Sequence, residues 1–316
     1  MPPRRVIGID AGGTKLLGGV LDEELVVHHR VQRTWRGAGR QETLDIFVDA
    51  VEEARTAAPE ANAVAFGIPA LVEVETGVAV WSTHLPLEGV PFRDLMSERL
   101  GLPVTVDNDV NAALLAEARR GAAREVRHAV MVALGTGIGS AMLLDGRIYR
   151  GATGLGAELG HMVVDVHGPE CQGACPGRGC LEVLASGRAI GREGERLARE
   201  HPESALGRRL RDGGEITGAL VTEMAHDGDA LCREALASVG RMLGAGLVSI
   251  VNIFSPEVIV IGGGAIAAGD LLLDPAREVV ATRALPAPRR LVRIVPAAFG
   301  SEAGMIGAGL MALESS

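Results

Sequence analysis

The stretch that decides the fold is Val6–Asp22, VIGIDAGGTKLLGGVLD. Val6–Ile9 reads as a buried strand, Asp10-Ala11-Gly12-Gly13-Thr14-Lys15 as a tight turn, and Leu16–Leu21 as a second strand. Glycines between two β-rich runs mark such a turn. The pattern returns at Ala129–Gly146: strand Ala129–Leu134, turn Gly135-Thr136-Gly137-Ile138-Gly139, a further strand, then Asp145-Gly146. The offset that lays Gly12 on Gly135 also lays Asp22 on Asp145. Residue identity between the two copies is low, but their order is the same, which points to a duplicated domain.

Working outward, Leu44, Phe47/Val48, Val51 and Ala54 recur at helical spacing, so about 41–58 is an amphipathic helix. Val64–Gly67 is a strand stopped at Pro69, and Phe92–Leu100 a short helix closed by Gly101. Val104–Val106 is a strand ending in Asp107-Asn108-Asp109, and Asn111–Arg119 an Ala/Leu-rich helix. The longest apolar helix is about Leu231–Phe254; Val258–Ile261 is a strand ending in Gly262-Gly263-Gly264. Arg293–Val295 is a further strand, and about Glu302–Leu313 a small-residue helix. Strands alternating with helices predict an α/β class with mostly buried sheets. The expected division is a smaller N-terminal domain, 1–120 with the last helix at about 301–316, and a larger one, 121–300.

With 316 residues the chain is long enough for two cores. Aromatics are 3 %, so the cores must be built from Val, Ile, Leu, Ala and Met. A net charge of -9 and the absence of a basic stripe argue against nucleic-acid and anionic-membrane partners. The apolar run after Arg4 and Arg5 is too short for a signal peptide, and no apolar stretch reads as a membrane span. Clustered thiols without a signal fit a reducing cytoplasm and metal-bound cysteines better than a disulfide framework. Cys232, alone in a helical pattern, reads as a small buried apolar residue.

Three constellations carry chemistry. The glycine turns let backbone N–H groups approach a phosphate, because no Cβ intervenes. Asp10 is placed to hold Mg²⁺ through water, with Lys15 a positive charge nearby. The first turn is neither a Walker A loop nor a dinucleotide fingerprint, since a strand follows where a helix is needed. One such turn alone is an ordinary hairpin. Two in a duplicated frame, with Gly262–Gly264 after a strand, favour a nucleotide site. Asp107-Asn108-Asp109 sits at a strand end before a helix, where open α/β sheets bind ligands. A carboxylate there is either a general base toward a hydroxyl or a helix N-cap, and local pattern supports both equally.

The third is Gly154–Gly187, GLGAELGHMVVDVHGPECQGACPGRGCLEVLASG. His161, Cys171, Cys175 and Cys180 form a closed, zinc-type ligand set, structural because no position is left for substrate. The spacing Cys-x₃-Cys-x₄-Cys fits no standard finger. Glu158 and Glu182 flank the set; Glu158 and His161 are expected on one helical face, Cys180 and Glu182 on one face of an extended segment. Carboxylates so held accept hydrogen bonds from vicinal sugar hydroxyls.

These residues resemble the ROK family of sugar kinases and repressors, specifically its glucokinase-like members. The resemblance runs through IDAGGTK (Ile9–Lys15), NDVNAALLAE (Asn108–Glu117), LGTGIG (Leu134–Gly139) and GAELGH (Gly156–His161). It continues in GCLE (Gly179–Glu182), PEVIVIGGG (Pro256–Gly264) and IGAGLMAL (Ile306–Leu313). It implies the two-domain hexokinase/actin-like ATPase (ribonuclease H-like) fold with the active site in the interdomain cleft. It also implies ATP-dependent phosphorylation of a hexose, glucose to glucose 6-phosphate first, by a homodimer or homotetramer.

By matching position the resemblance implies that Asp109 is the catalytic base and that Asn108, Glu158, His161 and Glu182 line the sugar site. Asp10, Gly12, Gly13, Thr14, Lys15, Gly135, Thr136 and Gly137 would serve the phosphates and Mg²⁺, with Gly262, Gly263 and Gly264 near the nucleoside. His161, Cys171, Cys175 and Cys180 would hold structural Zn²⁺. Three departures touch this pattern. Cys171-x₃-Cys175 stands where many members have Cys-x-Cys, His84 stands where an Asn is usual, and Pro69-Ala70 replaces Pro-Gly. The last two concern the sugar pocket, leaving mannose, fructose and N-acetylated hexosamines as alternatives; polyphosphate is an alternative donor because the phosphate turns read phosphates and not adenine. The rival from another class is a non-catalytic sugar-sensing regulator. Regulators of this family carry a helix-turn-helix ahead of the kinase-like body, and here the first strand begins at about Val6.

Overall fold

Glycine and proline break the apolar runs into short elements. The computed structural model describes residues 4–12, 15–34, 39–82, 85–173 and 175–315. In chain order the elements are β1 (Arg5–Ala11), β2 (Lys15–Asp22), β3 (Val27–Thr34), α1 (Arg40–Ala57), β4 (Val64–Ile68), β5 (Leu71–Glu73) and β6 (Val78–Trp81). Then come α2 (Phe92–Leu100), β7 (Val104–Asn108), α3 (Asp109–Arg120), β8 (Ala129–Leu134), β9 (Ile138–Leu144) and β10 (Arg147–Ile148). The helices α4 (Leu181–Ala185), α5 (Gly187–Glu200), α6 (Ala205–Arg211), α7 (Gly218–His226) and α8 (Ala230–Phe254) follow. The chain ends with β11 (Val258–Gly262), α9 (Asp270–Arg283), β12 (Arg293–Pro296) and α10 (Ala303–Ser315).

Two sheets share one plan. The first runs β3-β2-β1-β4-β7 and the second β10-β9-β8-β11-β12. In each, the first strand of the repeated hairpin is central, its next two strands lie on one side, and two later strands run parallel to it on the other. The chain forms two compact units: Met1–Arg127, Ala141–Ala157 and Ala297–Ser316 in one, His128–Ser140 and Glu158–Pro296 in the other.

In the first unit β1 pairs antiparallel with β2 and parallel with β4, and β4 parallel with β7. The alignment Asp10↔Gly67 and Gly67↔Asp107 brings three strand ends into one row. One face of the sheet packs on α1 and α2 through Phe47, Phe66 and Phe92, whose ring centroids are 5.2–6.0 Å apart. This corrects the expectation of a core without aromatics: the few phenylalanines are concentrated here. The other face is covered by α10, where Met305, Ile306 and Met311 pack with Val6, Leu21 and Ala112. The approach is close because β1 is bare at Gly8, where a Cβ would stand 2.2 Å from the Met305 carbonyl oxygen.

In the second unit β8, β11 and β12 are parallel, and α8 packs on α9, α7, α5 and α4. By length and composition α8 is long and apolar enough to cross a membrane, contrary to the expectation that no stretch would be. It nevertheless buries Leu236, Val239, Leu243, Leu247 and Ile250, with Cys232 fully buried among them.

Candidate active site

In the first unit the strand row sets the geometry. Adjacent strands stand about 4.8 Å apart, so Asp10 and Asp107 flank Gly67 across roughly 10 Å. Gly67 has no side chain to fill the gap; a Cβ there would lie 3.2 Å from the Asp109 Cα. Asp109 is the first residue of α3, and Asn108 caps that helix by accepting the N–H groups of Val110 (2.9 Å) and Asn111 (3.3 Å). Capping therefore falls to Asn108, which also donates from Nδ2 to the Ala70 carbonyl at 3.4 Å.

Asp10 and Asp109 sit close enough to repel. Burial first, then Asp109, raises the Asp10 carboxyl to about 8, with Lys15 pulling it down. A carboxylate pair this unfavourable when bare suits a divalent cation, so Asp10 fits the Mg²⁺ role. The carboxyl also touches the start of α10: a Cβ on Gly304 would stand 2.4 Å from the Asp10 Cγ. Gly12 N–H donates to the Lys15 carbonyl at 2.8 Å, closing the turn. Gly13, Thr14 and His84 lie outside the described residues.

Asp107 does not stand out by itself in the sequence, yet it organises this site. It is 4 % exposed. Its Oδ1 accepts the Asn108 N–H (2.7 Å) and the Asn111 Nδ2 (2.9 Å), while its Oδ2 accepts Arg150 Nε (2.8 Å) and Nη2 (2.5 Å). A buried charge paired and hydrogen-bonded on every side fixes the backbone on which Asn108 and Asp109 stand. No local pattern reveals Arg150 as its partner.

In the second unit, His161, Cys171, Cys175 and Cys180 place one donor atom each within 4.8 Å of one another. His161 Nδ1 lies 3.6 Å from Cys171 Sγ, and Cys175 Sγ lies 3.9 Å from Cys180 Sγ. Tetrahedral Zn²⁺ with Zn–S bonds of about 2.3 Å needs donor separations of roughly 3.8 Å, so the cluster fits such an ion. All four cysteines are free of disulfides. Burial, then hydrogen bonding with Cys180 and Cys175, pushes the Cys171 thiol up to about 12.

The segments carrying the cluster are pinned together. Leu181 N–H donates to the Met162 carbonyl at 2.9 Å, and Val163 bridges Cys180. Glu158 precedes a 3₁₀ turn, Leu159–His161. Enclosure raises the Glu158 carboxyl above its ordinary value, His161 opposes this, and Glu182 adds to it. Ala157, just before it, has φ 69°, a left-handed conformation that costs a residue with a Cβ about 1–2 kcal/mol. Glu182 lies in α4, capped by Cys180, and not in the expected extended segment. The Gly179 turn at φ 60° redirects the chain into the helix. There Glu182 Oε2 accepts the Ile138 N–H at 2.8 Å, which the bare Gly137 permits: a Cβ would stand 2.2 Å from that oxygen.

Beside the second glycine turn the same unit holds a cavity of about 900 Å³. Gly135, Thr136 and Gly264 line it, with the first turn of α5 and residues of α7 opposite. Gly262 ends β11, and Gly263, at φ 82°, passes 2.4 Å from the Leu134 carbonyl when given a Cβ. Close approach explains that glycine without a ligand.

The ROK family profile matches residues 6–315. The glucokinase of Streptomyces coelicolor is 33 % identical over 98 % of this chain and 97 % of its own. A crystal structure of a ROK family glucokinase from Streptomyces griseus in complex with glucose and AMPPNP superposes with a TM-score of 0.87 at 32 % identity, covering 98 % of this chain and 99 % of that one. The xylose repressor of Caldicellulosiruptor bescii is 28 % identical over 98 % of this chain and 78 % of the repressor. The chain therefore belongs to the ROK family, among its glucokinase-like sugar kinases, and has their two-domain, actin-like ATPase fold.

Proposed function

We propose that this protein transfers the γ-phosphoryl group of ATP to a hexose hydroxyl, with glucose the first substrate and glucose 6-phosphate the product. The observation that carries the reading is the proximity of Asp10, at the end of β1, to Asp109, the first residue of α3, in a chain that matches a glucokinase over nearly its whole length. Asp109 accepts the proton of the attacking hydroxyl. Asn108, Glu158, His161 and Glu182 hold the ring hydroxyls, the two carboxylates accepting their hydrogen bonds. Lys15 and the N–H groups of Gly12, Gly13, Thr14, Gly135, Thr136 and Gly137 bind the donor phosphates, with Gly262–Gly264 toward the nucleoside. Bound Mg²⁺ at Asp10 would neutralise charge on the transferring group. Zn²⁺ at His161, Cys171, Cys175 and Cys180 would hold the loop that carries Glu158 and Glu182.

The likeness to a xylose repressor supports a second reading, a sugar sensor without turnover. One assay separates the two. The protein is mixed with ATP-Mg²⁺ or polyphosphate and a panel of hexoses, and ADP and sugar phosphate are measured. With ATP the kinase reading predicts ADP and hexose phosphate in equal amounts, fastest with glucose. A thermal shift with one sugar and no phosphate transfer to any would establish the sensor instead.

A further inference from the structure

The cavity beside the second glycine turn has one feature that the donor reading leaves unused. Arg188 and Arg192, one helical turn apart on α5, both line it. The start of α5 is locked to the turn: the Gly187 N–H donates to the Gly135 carbonyl at 2.8 Å, and a Cβ on Gly187 would stand 2.8 Å from that oxygen. Ser186 caps the helix by accepting the Ala189 N–H at 3.4 Å. Arg188 thus follows directly on a backbone fixed against Gly135.

Its guanidinium is held as well. Arg188 Nη1 donates to Gln172 Oε1 at 2.9 Å. Gln172 lies between Cys171 and Cys175, in the widened part of the metal loop. Burial, then the charge of Arg188, draws the Arg192 guanidinium below its ordinary value, with Glu195 opposing. Two like charges share this wall, an arrangement that an anion relieves. Glu195, Glu215 and Glu223 also line the cavity, so it is not basic throughout. Arg188 concentrates positive charge next to the Gly135–Thr136 turn, which suits a ligand charged at one end and neutral at the other.

We propose that Arg188 binds the phosphate tail of the phosphoryl donor, and that Gln172 of the metal loop sets the orientation of its side chain. The proposal rests on the reading of Gly135–Thr136 as a phosphate turn. Gln172 then connects the metal loop to the donor site. A bidentate guanidinium suits phosphate oxygens better than an ammonium does.

The test uses the full-length protein, metal content verified, with Arg188→Ala, Arg188→Lys and Gln172→Ala. Calorimetric titration measures binding of ATP-Mg²⁺ and, separately, of adenosine. The expected result is a loss of about tenfold or more in ATP affinity for Arg188→Ala, with adenosine binding and melting temperature unchanged. Partial recovery in Arg188→Lys and an intermediate loss in Gln172→Ala complete it. An equal loss for adenosine would mean that Arg188 shapes the cavity without touching phosphate, and unchanged ATP affinity would also overturn the proposal. Wild-type protein that binds neither ligand refutes the donor-site reading itself, and this proposal with it.

Discussion

At the residue scale, the site depends on atoms that are missing as much as on those present. Gly304 lies in the first turn of α10 against the Asp10 carboxyl. Alanine there is the better helix former by up to about 1 kcal/mol, but its Cβ takes the place of the carboxyl. Gly304→Ala is therefore expected to keep or raise thermal stability while lowering kcat by about 10- to 100-fold. Melting curves beside turnover check this, and a fall in both together would mean that the helix itself has been displaced. Ala157 is the converse, a Cβ where the backbone is left-handed, next to Glu158, which we propose to bind the sugar. Neither property is legible in the sequence. Gly304 is one small residue in an apolar helix, and its constraint comes from a strand almost the whole chain away.

Among elements, the turn from β2 into β3 carries a titrating brace. Asp22 ends β2 and accepts His28 Nε2 at 2.6 Å and the N–H groups of Val26 (2.9 Å) and Glu24 (3.0 Å). Burial raises its carboxyl, but the His28 bond and the two N–H groups outweigh burial and leave it below its ordinary value. A lowered folded pKa stabilises above the unfolded value of about 3.9 and is lost as pH falls through the folded one. Asp22→Asn is expected to cost about 1–2 kcal/mol at pH 7, a deficit that shrinks below about pH 4. Denaturant curves at several pH values read it, and a deficit constant down to pH 2 would exclude the brace. The loop carrying Cys171, Cys175 and Cys180 is the second case. Freshly purified protein is expected to carry about one zinc per chain, and Cys175→Ser to lose it and raise the KM for sugar. Elemental analysis without zinc in unchelated protein contradicts this.

The elements also show what patterning reveals and what it hides. Strands and helices that meet a core on a regular period, such as α1 with Leu44, Phe47 and Val51, are readable from spacing. Strand β3, VHHRVQRT, is not: it is an edge strand that buries only Val31 fully, so no apolar alternation marks it. The expectation of an extended segment at Glu182 fails because the glycine that turns Cys180 into a helix cap acts through φ, which residue type only hints at.

For the molecule as a whole, the duplicated hairpin is the informative signal, and the repeated strand order is its structural counterpart. The grouping of Asp10, Gly67 and Asp107 is not legible, because it arises from register between strands far apart in the chain. The Arg150–Asp107 pair is hidden because its partners stand 43 residues apart and no local pattern links them. Local motifs supply the chemistry, and topology decides which of them meet. In the proposed reaction a hexose hydroxyl gives its proton to Asp109 as ATP phosphorylates it. The most direct measurement is glucose 6-phosphate formation by wild type and Asp109→Asn, with glucose affinity determined for both. A loss of about 10²–10⁴ in turnover is expected for Asp109→Asn, with glucose affinity kept. Turnover that survives in Asp109→Asn with an unchanged pH profile would contradict it.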